Sequence, residues 1–132
     1  RGLAALLLLH DTTVWPIWSN VSVLTKMREA KDTFGIDNAT FIPYFDAMPP
    51  ATTDMKDVYV SVYKNPDGRA LVVVGNTSND ARNGTVTLNT KRIGIDAANV
   101  ISWPDKKVLS DNGDTIPVNI PGRDYQLYVF SK

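Results

Sequence analysis

Residues 57–78 read DVYVSVYKNPDGRALVVVGNTS, and their pattern decides the fold. Val58, Val60 and Val62 alternate with Tyr59, Ser61 and Tyr63, the period of a strand with two unlike faces. Asn65, Pro66, Asp67 and Gly68 follow. Pro66 presets φ for a turn, and Gly68 takes a positive φ without steric cost. Residues 70–74, ALVVV, return as the hairpin partner and are apolar at every position, as a strand buried on both faces requires. Further candidate strands lie at residues 85–89, 100–103, 115–120 and 125–130, separated by turn-forming runs such as NTSNDARNG and SDNGD. Short strands at this spacing predict an antiparallel β-sandwich or barrel over residues 57–132.

Upstream the pattern changes. Residues 4–9 form a continuous apolar run between Gly2 and HDTT. Its leucines and alanines suit a buried helix, and its shortness suits a strand buried on both faces; a strand is the expectation. Residues 20–34 predict a helix whose stripe is Leu24, Met27, Ala30 and Phe34. Ser19 or Asn20 offers its first-turn amides an oxygen, and Gly35 a left-handed stop. TFIPYF, residues 40–45, reads as an extended segment that Pro43 confines to a sheet edge. Strand, helix and extended segment have the order of one β–α–β unit over residues 1–46, which cannot cover both faces of its own strands. Residues 47–56, with Pro49 and Pro50, are expected to be an exposed connector. The predicted class is mainly β, an α+β arrangement with a short strand–helix–strand segment ahead of the sandwich.

The totals narrow the function. At 132 residues the chain can bury a core without staples. Its 14 basic and 14 acidic residues leave no excess charge to displace counterions from phosphates, so nucleic acid is not an expected partner. No run reaches the ~18 apolar residues of a membrane span. Residues 3–9 are followed by His10 and Asp11 rather than by small residues before a cleavage point, so they do not read as a signal peptide. Without cysteine there is neither a disulfide framework nor thiolate chemistry. Sequons at Asn20, Asn38, Asn76 and Asn83 arise readily by chance in turn-rich sequence.

The succession FGIDNATFIPYFD (residues 34–46), DVYVSVYKNPDGRALVVVGNTS (57–78) and IPVNIPGRDYQLYVF (116–130) resembles the C-terminal end of bacterial glycoside hydrolases. In these a (β/α)8 barrel is followed by an antiparallel β-sandwich, as in α-galactosidase-like enzymes and relatives of the family 123 N-acetylgalactosaminidases. The resemblance covers nearly the whole chain as an order of elements and turns, not as a catalytic signature. It implies that residues 1–46 are the end of a catalytic barrel and that carbohydrate is the parent enzyme's ligand. It is also the sole pointer to a periplasmic or extracellular setting.

Glycosidases need two carboxyl groups flanking the scissile bond, set on several barrel strands. This chain would hold at most the last two strands, so no catalytic residue is assigned. No G-x-S-x-G, H-E-x-x-H or phosphate-loop motif occurs, and no cofactor or metal is expected. His10 and Asp11 are the ligand-contact candidates, because a barrel strand ending at Leu9 would set them on the ligand face. The alternative is that Asp11 caps a turn and His10 is structural. Trp15 and Trp18 offer faces on which sugars stack, or they pack under the helix. Trp103 has the same two readings. Asp111, Asn112, Gly113 and Asp114 have a calcium-loop composition but lack the spaced oxygen ligands, and a tight turn accounts for them. Glu29 falls on the polar helix face.

Three functions compete: a non-catalytic accessory region of a glycoside hydrolase, a freestanding carbohydrate-binding or adhesion-type sandwich, and a complete small enzyme. The first is the expectation. A binding sandwich should carry a row of aromatics, and Tyr125 and Tyr128 fall on opposite strand faces. A single histidine and a single glutamate leave a complete enzyme few constellations. Away from a barrel, the leucine run should leave an apolar patch through which the chain self-associates.

Overall fold

The computed structural model of the chain describes residues 1–13, 20–96, 99–110 and 113–132. Its strands are β1 (Thr40–Ile42), β2 (Ala51–Thr53), β3 (Val58–Lys64), β4 (Ala70–Asn76), β5 (Arg82–Leu88), β6 (Asn99–Ser102), β7 (Val108–Ser110), β8 (Thr115–Ile120) and β9 (Asp124–Ser131). Helices α1 (Gly2–Leu9) and α2 (Val21–Phe34) precede them, and α3 (Thr90–Ile93) is a single turn. The fold is mainly β, as expected.

β3 and β4 form the central hairpin, in register from Val58 opposite Asn76 to Lys64 opposite Ala70. Gly68 turns it at φ 89° and donates its amide to the Asn65 carbonyl at 3.1 Å. The hairpin sits inside a six-stranded sheet of order β1-β3-β4-β9-β6-β7, which faces a three-stranded sheet of order β2-β5-β8. Every pairing is antiparallel.

Strand parity builds two cores from one sheet. Val58, Val60, Val62, Val72, Val74 and Phe130 point between the sheets and meet Val86, Leu88, Ile116 and Ile120. Tyr63, Leu71, Val73, Leu127 and Val129 point to the other face and meet Leu8, Leu9, Leu24 and Phe34 of the helices. This explains the unbroken apolar run of β4, whose Leu71, Val72, Val73 and Val74 are all fully buried. Each such side chain contributes about 1.5–3 kcal/mol of burial.

α2 follows its pattern. Leu24, Met27, Ala30 and Phe34 are its buried residues, the Asn20 side chain accepts from Val23 N–H, and Gly35 stops it at φ 86°. The leading run differs from expectation. Residues 2–9 are a helix, not a strand, because leucine and alanine have high helix propensity and no β-branched residue opposes them. Among the described residues no β–α–β unit forms. β1 joins the six-stranded sheet antiparallel to β3, ends before Pro43, and leaves α1 and α2 as a layer over that sheet. The segment expected as an exposed connector, residues 47–56, supplies β2 to the second sheet and buries Ala51 and Met55 in its core.

Candidate functional site

The C-terminal end of α1 carries the two sequence candidates, His10 and Asp11. A helix end leaves four carbonyls without intrahelical partners. Here all four are satisfied. Leu6 O accepts from His10 N–H (3.2 Å), and Leu7 O accepts from Thr12 N–H (3.0 Å). Leu8 O accepts from the Tyr63 hydroxyl (3.1 Å), and Leu9 O from the Ser61 hydroxyl (2.8 Å). The Thr12-to-Leu7 bond is the long closure of a Schellman motif. Asp11, at φ 48°, stands where glycine is usual. Ser61 and Tyr63 are the alternate residues of β3 that face the helices, so strand periodicity delivers both hydroxyls to one helix end.

Asp11 also binds outward. Its carboxylate, 3.0 Å from the Tyr63 hydroxyl, shares that group's one proton with Leu8 O, and it pairs with Lys31 Nζ at 3.5 Å. Lys31 Nζ stands 5.5 Å from the centre of the Tyr63 ring. Burial pushes the Tyr63 phenol well above its ordinary range, and the adjacent Asp11 charge and hydrogen bond push the same way. The phenol therefore stays a donor.

His10 is exposed, but both ring nitrogens are engaged. Nδ1 lies 2.9 Å from Leu6 O, which can only accept, so Nδ1 carries the proton. Nε2 is then free to accept from the Tyr44 hydroxyl, 3.3 Å away. Phe45 stacks on the His10 ring at 6.1 Å, and Tyr44 meets it edge-on at 5.5 Å. Tyr59 packs against Tyr44 at 4.7 Å. Phe45, 63% exposed, forms the outer surface of this corner. The His10–Asp11 pair is thus a helix terminus built into an aromatic corner. Trp15 and Trp18 lie outside the described residues, as do Asp111 and Asn112.

A second feature escaped sequence reasoning. β9 pairs with β6 only from Tyr128 to Ser131, so its first four residues outrun that neighbour. Beside this free edge lies a cleft of about 700 Å³ between α2, the 103–107 turn and β7. Tyr125 and Leu127 line it from one strand face, and Gln126 and Tyr128 from the other. Trp103 lies in its floor. Its indole N–H donates to Ala30 O at 2.8 Å, and Phe34 meets its ring edge-on at 6.4 Å, so it is a packing residue rather than a stacking platform. Glu29 is exposed at the rim. The length mismatch between β9 and β6 was the only signal, and it requires knowing which strands are neighbours.

The sequon at Asn76 has a structural role. Asn76 is fully buried, its amide donating to Asp80 O (2.8 Å) and Pro121 O (3.0 Å) while its oxygen accepts from Ser78 N–H and hydroxyl. This sequon is a turn anchor.

Comparison with known proteins gives the arrangement its family. No curated protein sequence matches the chain. Among solved structures, a GH27 β-L-arabinopyranosidase from Geobacillus stearothermophilus is similar over 100% of this chain and 29% of its own, with TM-score 0.64 and 12% identity. A candidate α-N-acetylgalactosaminidase from Bacillus halodurans C-125 is similar over 98% of this chain and 31% of its own, with TM-score 0.63 and 9% identity. α-Galactosidase I from Mortierella vinacea is similar over 80% and 28%, with TM-score 0.52 and 15% identity. At these identities the likeness is one of fold. The chain spans less than a third of each of these structures. The sequence matches the family described as "Glycoside hydrolase 123, C-terminal domain" over residues 10–115. That match takes in the helix end at His10, α2 and both sheets as far as the start of β8, and the chain belongs to the glycoside hydrolase 123 C-terminal domain family.

Proposed function

We propose that the chain acts as the non-catalytic C-terminal region of a carbohydrate-acting glycoside hydrolase, packing against its (β/α)8 barrel and stabilising it. One observation carries this reading. α1 is apolar at every position after Gly2, yet among the described residues only one side of it is covered. Leu3 and Leu6 remain 46% and 45% exposed. A helix apolar all round belongs in an interior. Leu3, Leu6 and His10 follow one another at helical spacing, and the stripe runs on to the exposed ring of Phe45. We assign Leu3 and Leu6 to contact with the barrel, and the corner of His10, Asp11, Tyr44 and Phe45, where that stripe ends, to one wall of the catalytic cleft. Left bare, the same stripe drives self-association of the isolated chain.

Two measurements test the reading. The chain alone should give no turnover of nitrophenyl glycosides. Added to a glycoside hydrolase 123 enzyme lacking its own C-terminal domain, it should raise that enzyme's melting temperature, and Leu6→Asp should abolish the rise. Turnover by the chain alone, or a rise indifferent to Leu6, overturns it.

A further inference from the structure

We propose that Met48 is a second anchor for the catalytic barrel, separate from Leu3 and Leu6, and that Asp46 and Arg92 are the residues that position it. This anchor belongs to the contact of the accessory reading above and rests on it.

The sequence supplies a loop with little freedom. In residues 43–50, PYFDAMPP, Asp46 is placed to accept from the amide two residues on, and Pro49 and Pro50 fix their own φ. Asp46 N–H donates to Pro43 O (3.1 Å), and Met48 N–H donates to the Asp46 carboxylate (2.9 Å). The other carboxylate oxygen pairs with Arg92 at 3.2 Å, and Arg92 Nε donates to Met48 O at 3.3 Å. Asn89 caps α3 by accepting from Arg92 N–H (3.1 Å), and it donates its own N–H to Pro50 O (2.8 Å). The start of α3 therefore grips the loop at Asp46, Met48 and the buried Pro50.

From this clamped loop Phe45 and Met48 stand out, 63% and 61% exposed. A scattered apolar residue on a surface is ordinary. A thioether presented by a loop already fixed in place is not, because the ordering that association normally costs is done in advance. Methionine, aromatic rings and arginine are the side chains enriched at protein interfaces, and all three meet here.

The occupant follows from what adjoins the loop. Phe45 stacks on His10, which ends the stripe of Leu3 and Leu6, so the loop prolongs the face assigned to the barrel. The exposed pair Val108 and Leu109 stands instead on β7, at the opposite edge of the six-stranded sheet from β1. Two leucines fall far short of the roughly 20–30 residues a side of a stable interface. Both also lie on one short helix, and a domain held there alone could pivot about it. Met48, on the connection from β1 to β2, adds a contact beyond the end of α1. Because Asp46 and Arg92 neutralise each other, the loop offers an uncharged apolar knob, and its counterpart on the barrel is an apolar hollow.

The test is isothermal titration of the intact chain into the glycoside hydrolase 123 enzyme lacking its own C-terminal domain. Met48→Asp should weaken binding roughly tenfold. Arg92→Ala should weaken it about threefold, and Arg92→Lys, which restores a cation for Asp46, should recover part of that loss. On the Met48→Asp background Arg92→Ala should have no further effect, a coupling that a merely structural role for Arg92 would not produce. If Met48→Asp binds as the wild type does while Leu6→Asp fails to bind, the second anchor is overturned and the accessory reading stands. Additive losses from Met48→Asp and Arg92→Ala overturn the positioning role. A wild-type chain that does not bind overturns the accessory reading and the anchor with it.

Discussion

Gly75 lies directly beneath Leu9: a Cβ at position 75 would stand 2.6 Å from Leu9 Cδ1 and 3.1 Å from its Cγ. The glycine is the hollow that lets α1 rest on β4. Gly75→Ala is expected to cost about 1–3 kcal/mol by overpacking a fully buried leucine. Gly122→Ala should cost more, because its Cβ would fall 2.0 Å from the backbone oxygen of Asn79, which has no rotamer with which to yield. Chemical denaturation of the two variants checks the order.

Tyr63→Phe tests the capping of α1. It removes the hydroxyl shared by Leu8 O and Asp11 and leaves a buried carbonyl unpaired. A loss of about 1–3 kcal/mol is expected. Ser61→Ala should act similarly through Leu9 O, and the double variant should be less than additive because both hydroxyls hold one helix end.

Alkaline pH gives a second readout. Tyr63, Tyr125 and Tyr128 all have raised folded-state values, with burial as the first cause, and Tyr128 is pushed up to about 12. A raised phenol means that the folded state holds its proton more tightly than the unfolded chain. The resulting stability is fully present below the ordinary tyrosine value of 10.0 and is lost as pH rises from there towards 12. Unfolding midpoints across this window should fall, and Tyr63→Phe should flatten the slope.

Asn76→Ala should be among the costlier polar substitutions. The buried amide ties the end of β4 to the loop joining β8 and β9, and its loss strands several partners. About 2–4 kcal/mol is expected from that many unpaired groups. Thermal melting checks it, and a drop under half a kcal/mol would refute the anchoring role.

Leu3 and Leu6 should behave unlike their neighbours. Leu3→Gln and Leu6→Gln are expected to reduce self-association in sedimentation experiments while changing stability by about half a kcal/mol or less. Leu8→Ala, at a fully buried position, should cost about 2–5 kcal/mol.

Legibility followed the range of the cause. The β3–β4 hairpin and α2 were readable because alternation, a four-residue turn, a cap and a stop glycine are all local. The run before His10 was misread because six apolar residues carry no period, and what decided them was residue propensity plus hydroxyls that arrive from β3. β2 and β7 went unseen because three residues cannot show alternation. His10 was found as the end of an element, but its partner Tyr44 stands 34 positions away, so its engagement was invisible. The cleft depends on β9 outrunning a neighbour that only tertiary structure assigns to it.

The way α1 is terminated also bears on how the molecule comes apart. An isolated helix of eight residues is too short to hold by its own turns. Here its final carbonyls are tied to the middle of the sheet's second strand, so detaching it strips hydroxyls and a phenol out of the interior at the same moment. Slow amide exchange should therefore extend through the turns of α1, which would melt with the β-layers in a single event.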